Sequence, residues 1–173
     1  MTPDQTLATQ TVKGKKKDKE QITVLLCMNA AGTDKLKPLV IRKSAKPQCF
    51  KNISKKNLGI KYEVNKKAWM KSDIFECWIK SLDDIFRQNH RRILLLVDNT
   101  ASHIVREESE HVKIYFLPPN TTAHLQPCDA GIINFFKAYY QKLYLQHVLE
   151  VINAGEEMSR LNIKKAIDFT VEA

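Results

Sequence analysis

The segment Arg91–Asp98 reads RRILLLVD. A short, unbroken run of branched apolar residues leaves no polar face, so it suits a strand covered on both sides. Such strands belong to sheets with helices packed on them, which points to an α/β architecture. The flanking pattern agrees. Ile74, Trp78, Leu82 and Ile85 fall at helical spacing, with Phe75 and Phe86 beside them. Ser72 and Asp73 stand where an N-cap belongs, so a helix is expected from there to about Asn89.

Upstream, QITVLLCMNA (21–30) and LKPLVIRK (36–43) read as two strands joined through a turn containing Gly32 and Asp34. That is a hairpin pattern. Thr6–Gln10 reads as a short strand, Lys13–Glu20 (KGKKKDKE) as a charged turn, and Ile60–Val64 as a further strand. Downstream, VKIYFL (112–117) is a strand and Pro118–Pro127 is a loop rich in Pro, Asn and Thr. Ala130–Asn153 is expected to form a long helix and Leu161–Glu172 a last one. The order of elements gives an α/β domain with a mixed sheet.

The 173 residues suit one domain. No apolar run reaches the roughly 18 residues that span a bilayer. Met1 is followed by polar residues and lysines with no apolar core of a signal peptide, so an intracellular protein without membrane contact is expected. Cys27, Cys49, Cys77 and Cys128 are scattered and form no CxxC pair. They read as small buried hydrophobes, not as a zinc site or a disulfide framework. Trp69 and Trp78 are expected in the core.

Charge is uneven. Residues 1–71 hold 17 Lys and Arg against 5 Asp and Glu, whereas residues 72–173 hold 11 against 14. A basic half suits a polyanion, because cationic side chains displace counterions from phosphates. It equally suits a solvated, solubilising surface. Charge alone does not choose between them.

Two carboxylates stand where chemistry is expected. Asp98 closes the apolar strand, and open α/β sheets bind ligands beyond the carboxyl ends of their strands. Asp129 follows the Pro-bounded loop and precedes the long helix. Each has a plainer role: Asp98-Asn99 can form a turn, and Asp129 can cap a helix. Their neighbours add weight to a metal site. Asn99 and His103 follow Asp98 closely, and His124 and Gln126 precede Asp129. A Mg²⁺ ion takes one or two carboxylates together with water and phosphate oxygens.

LLLVDNTASH (94–103) and IYFLPPNTTAHLQPCDAGIINFFKAYY (114–140) together resemble the DDE superfamily endonuclease domain of pogo/Tigger-type transposases, whose domesticated relatives include centromere-binding and jerky-like proteins. Residues 6–50 resemble the segment that precedes those motifs in the family. The resemblance covers about residues 3–145, and FLPPNTT…LQP.D.G is a long, specific phrase.

The resemblance implies an RNase H-like mixed sheet flanked by helices, and a triad of metal-binding acidic residues. Asp98 matches the second member and Asp129 the third, with 30 residues between them. The first belongs to a strand preceding the segment that matches Met1–Gln10, so the expected fold lacks its first strand. Residues 1–150 are then a partial DDE domain and 151–173 a C-terminal helical extension. The implied cofactor is Mg²⁺ or Mn²⁺. The implied partner is DNA and the implied location the nucleus, with homo-oligomers open to the intact family. Asn99, His103, Asn120, Gln126 and Lys137 are candidate nucleic-acid contacts. Each also has a plain reading as a turn, loop or surface residue. Pro118, Pro119, Thr121 and Thr122 shape the approach to Asp129, and Gly131 permits close packing in that pattern.

Overall fold

The computed structural model describes residues 21–51, 53–118, 126, 128–157 and 161–173, with the side chains of residues 55, 56, 129 and 130 excepted. The expected strand Thr6–Gln10 and charged turn Lys13–Glu20 lie outside these residues. The hairpin forms as expected. Strands β1 (Thr23–Leu25) and β2 (Leu39–Arg42) are antiparallel, with Thr23 opposite Ile41 and Leu25 opposite Leu39. The pairing is carried outward by a Met28–Lys35 bridge. Gly32 turns the chain at φ 70°, a backbone angle that favours glycine. The Asn29 carboxamide oxygen accepts from the Asp34 N–H at 3.1 Å. The regular part of β1 is much shorter than the apolar stretch 21–30.

Strand β3 (Lys61–Val64) runs parallel to β2 on its other side, so the sheet has order β1-β2-β3 and is mixed. The crossover between β2 and β3 contains two short 3-10 turns, Gln48–Phe50 and Lys55–Leu58. Helix α1 (Ser72–Gln88) follows. Strands β4 (Ile93–Val97) and β5 (Val112–Phe116) then pair in parallel as a separate two-stranded sheet. A wide π-type turn, Cys128–Ile132, leads into α2 (Ile133–Asn153), and α3 (Ile163–Glu172) closes the chain.

Two apolar clusters use opposite faces of β2. Leu39 and Ile41 point to α1 and pack with Phe75, Trp78, Ile79 and Leu82. The same cluster includes Val97 and Val112, so α1 spans both sheets. Val40 points the other way and packs with Phe50, Leu58, Ile163 and Ile167. The alternation of side chains along a strand thus puts a helix on each face of β2. The family of contacts that holds α3 is the same as that of β2, and α2 runs without a break past residue 150.

Several expectations are corrected. The strand buried on both faces is β2, not β4. Ile93, Leu95 and Val97 face α1, but Leu94 and Leu96 are 58% and 47% exposed because no described element covers that side. Ser72 and Asp73 do not cap α1. Lys71 occupies the N-cap position without a side-chain bond, and the Asp73 carboxylate accepts from the Ile74 N–H at 2.9 Å within the first turn. Trp78 is core, whereas Trp69 is exposed. Ile85 sits at the edge of the apolar stripe and is part-exposed. Cys77 is exposed and the other cysteines are half-buried; none of the four is in a disulfide. The expected mixed sheet is present as β1-β2-β3, and β4 and β5 form a second sheet among the described residues. Among the described residues no helix is long and apolar enough to cross a membrane.

Candidate metal centre at the end of β4

Asp98 is the first residue after β4. Its backbone oxygen accepts from the Thr100 N–H at 3.0 Å, so the chain turns as soon as the strand ends. A 3-10 turn, Ala101–His103, brings the chain back. The His103 N–H of the backbone reaches the Thr100 carbonyl at 3.0 Å and closes that turn. The imidazole then lies against the carboxylate, with Nδ1 at 2.6 Å from Asp98 Oδ1 and 3.3 Å from the Asp98 backbone oxygen. Both oxygens are acceptors, so the tautomer with its proton on Nδ1 is the one that satisfies these contacts. The other side of the imidazole rests on Phe75, with centroids 4.5 Å apart and planes 32° apart. The side chains of His103 and Asp98 are 13% and 20% exposed.

This pair lies on the wall of a cavity of about 970 Å³. Residues of β1 and β4 both line it, Phe75 and Trp78 contribute from α1, and Phe136 and Lys137 from the start of α2. Among the described residues β1 pairs only with β2, and β4 only with β5. The cavity therefore lies between strands of two sheets whose outer partners are absent among the described residues.

Asp98, His103, Gln126 and Lys137, separated in sequence, all line this space. Gln126 Oε1 is buried without a hydrogen-bond partner among the described residues. Cys27 and Cys128 line the same cavity. The Cys27 thiol is pushed up to about 11 by burial, then by the neighbouring Cys128 and by Asp34. Asn99 is exposed beside Asp98. Asp129 belongs to the π-type turn that opens α2, and its side chain lies outside the described residues. Asn120, His124, Pro119, Thr121 and Thr122 lie outside them too, whereas Pro118 is exposed at the end of the described strand segment.

Donor chemistry at Asp98 fits a hard cation. Carboxylate oxygen is the ligand that Mg²⁺ and Mn²⁺ prefer, and the bond to His103 engages Oδ1 only. Among the described residues no group of three or more His, Cys, Asp or Glu side chains that could hold a metal ion is gathered; Asp98 and Asp34 are the described carboxylates lining the cavity. Sequence reasoning missed Phe75 as the support of His103, and missed Cys27 and Cys128 as cavity residues. Phe75 is legible only as a core position, because its contact with His103 joins α1 to the turn after β4. No local pattern marks the two thiols.

The chain matches the family model described as DDE superfamily endonuclease over residues 19–173. It is 32% identical to CENP-B homolog protein 2 of Schizosaccharomyces pombe over all of this chain and 35% of that protein. It is 31% identical to mouse Tigger transposable element-derived protein 4 over 87% of this chain and 29% of that protein. Mouse Jerky protein is 35% identical over 73% of this chain and 24% of its own length. The chain therefore spans about a third or less of these relatives. No solved structure matches it. The match through the strands, the Asp98 turn and both last helices establishes that this chain belongs to the DDE superfamily of endonucleases, among its pogo/Tigger-related members.

Proposed function

We infer that this chain is a transposase-derived DDE endonuclease domain acting on DNA, with Asp98 and Asp129 as metal-binding, catalytic carboxylates. The observation that carries this reading is the position of Asp98. It stands at the carboxyl end of a parallel strand, on a cavity also lined by Gln126, Cys128 and Lys137 from around Asp129. Mg²⁺ or Mn²⁺, when bound, supplies electrostatic stabilisation to the reacting phosphate and activation of the attacking oxygen. Asp98 and Asp129 would hold it. Lys137 and Asn99, both exposed, are suited to a DNA phosphate, and Gln126 Oε1 to a donor on the substrate or an ordered water. Asn120 completes the proposed DNA-proximal group, and His103 stands behind it against Asp98. The reaction class is hydrolysis of a phosphodiester followed by strand transfer, with a DNA 3′-hydroxyl as nucleophile. Other similar proteins are human Major centromere autoantigen B and ARS-binding protein 1 of Schizosaccharomyces pombe, whose names support action on chromosomal DNA in the nucleus.

An RNase H-like sheet with a further strand between β1 and β4 belongs to the same reading. A strand in that gap would join the two sheets into one mixed sheet. It would also carry the first acidic residue of the triad to the side of β4, completing the charge that two cations require. Residues 1–150 form the bulk of this domain, and 151–173 its C-terminal helical part. Homo-oligomers remain open to the intact family.

A second reading, a DNA-binding module without catalysis, is favoured by the basic first 71 residues, which need no metal to meet phosphates. Incubating the purified chain with supercoiled plasmid and Mg²⁺ or Mn²⁺ separates the two. Metal-dependent nicking that disappears in both Asp98→Asn and Asp129→Asn supports the nuclease. DNA retention without nicking supports the binding module. Neither activity contradicts both.

A further inference from the structure

We propose that His103 is a positioning residue, which holds the Asp98 carboxylate in one orientation through its Nδ1–H while Phe75 fixes the plane of the imidazole. The consequence for metal binding rests on the reading of Asp98 given above; the positioning itself does not.

Three observations converge. Nδ1 faces two oxygens of one residue: it is hydrogen-bonded to the backbone carbonyl at 3.3 Å and lies 2.6 Å from carboxylate Oδ1 as a close polar contact. A single donor shared in this way defines where the side chain lies relative to its own backbone. The ring cannot tilt freely, because Phe75 lies beneath it at 4.5 Å and is itself 1% exposed in the α1 core. The rest of the turn is braced separately, by the contact of Thr100 Oγ1 with Ser102 Oγ at 3.1 Å.

An isolated carboxylate after a strand turns about two side-chain bonds. Here one oxygen is tied, so Oδ2 is presented in a fixed direction beside the cavity. Outer partners that orient a ligand in this way change metal affinity about 10–100-fold when removed. At 13% exposure, His103 has little surface to offer DNA, and its nitrogen is already committed. Its role is therefore indirect.

The test begins on the metal-free full chain, above the ordinary imidazole pKa of about 6.5. Long-range ¹H–¹⁵N correlation spectra of the histidine rings should show His103 as the Nδ1–H tautomer, and Asp98→Asn and Phe75→Leu should each shift its signals. A dominant Nε2–H tautomer, or one unmoved by Asp98→Asn, overturns the proposal. Mn²⁺ titration followed by electron paramagnetic resonance then reads the consequence. His103→Phe keeps a ring on Phe75 but has no N–H; it should weaken binding about tenfold or more. His103→Asn restores a donor at the Nδ1 position and should recover most of that loss. Equal losses in both variants, at equal thermal midpoints, overturn the positioning role. If the wild-type chain takes up no Mn²⁺ at all, the metal reading of Asp98 fails, and the tautomer measurement still decides the contact.

Discussion

Asp98 is held at three points within a few residues of chain. Thr100 bonds its carbonyl, His103 bonds its carboxylate, and β4 fixes its backbone from behind. A charged-group hydrogen bond of this kind is stronger than a neutral one, and half-burial limits competition from water. Cys27 gives a second residue-scale expectation. Its thiol is raised from 9.0 to about 11, so the folded state disfavours the thiolate. The stability this contributes is present below pH 9.0 and is lost as pH rises toward about 11. Urea midpoints measured across that window should fall in the wild type, and part of the fall should vanish in Cys27→Val. A slope identical in the two proteins would show that Cys27 is not the group responsible.

At the scale of elements, α1 is the piece on which the rest depends, because its buried stripe meets β2 and the β4–β5 sheet together. Ile79 is fully buried, so Ile79→Ala should cost about 2–5 kcal/mol in denaturant unfolding, through lost burial and the cavity left behind. Leu96→Thr should stay within about 0.5 kcal/mol, because Leu96 is 47% exposed on the side of β4 that no described element covers. A reversed order would mean that β4, not α1, carries the core. The sequence pattern located nearly every element, since helical and strand periods differ and the apolar runs are long. It misjudged which strand is enclosed. LLLV in β4 and LVIR in β2 look alike locally, and only the contacts from α1 and α3 on opposite sides of β2 distinguish them. It misplaced the N-cap for a related reason: Lys71 takes that position with extended backbone, and no side chain is required there. Asp98 was legible because a carboxylate after an apolar strand is a local signal. The His103–Phe75 support was not, because it joins separate elements.

For the whole molecule, charge and cavity divide the work. The basic half carries the charge that the proposed phosphate contacts need, and the cavity brings polar residues from the turn after β4, the segment before α2 and α2 itself to one place. If the proposed DNA partner is bound through phosphates, affinity must fall steeply with salt. The log–log slope should be about −0.9 for each phosphate neutralised, and filter-binding across a salt series reads it. A flat dependence would point to a surface whose lysines are only solvated. The decisive quantity is the affinity of the full chain for Mn²⁺, measured calorimetrically in wild type, Asp98→Asn and Asp129→Asn. A divalent site built on these two aspartates gives saturable binding that weakens about tenfold or more in each variant. Binding of equal strength in all three proteins would contradict it.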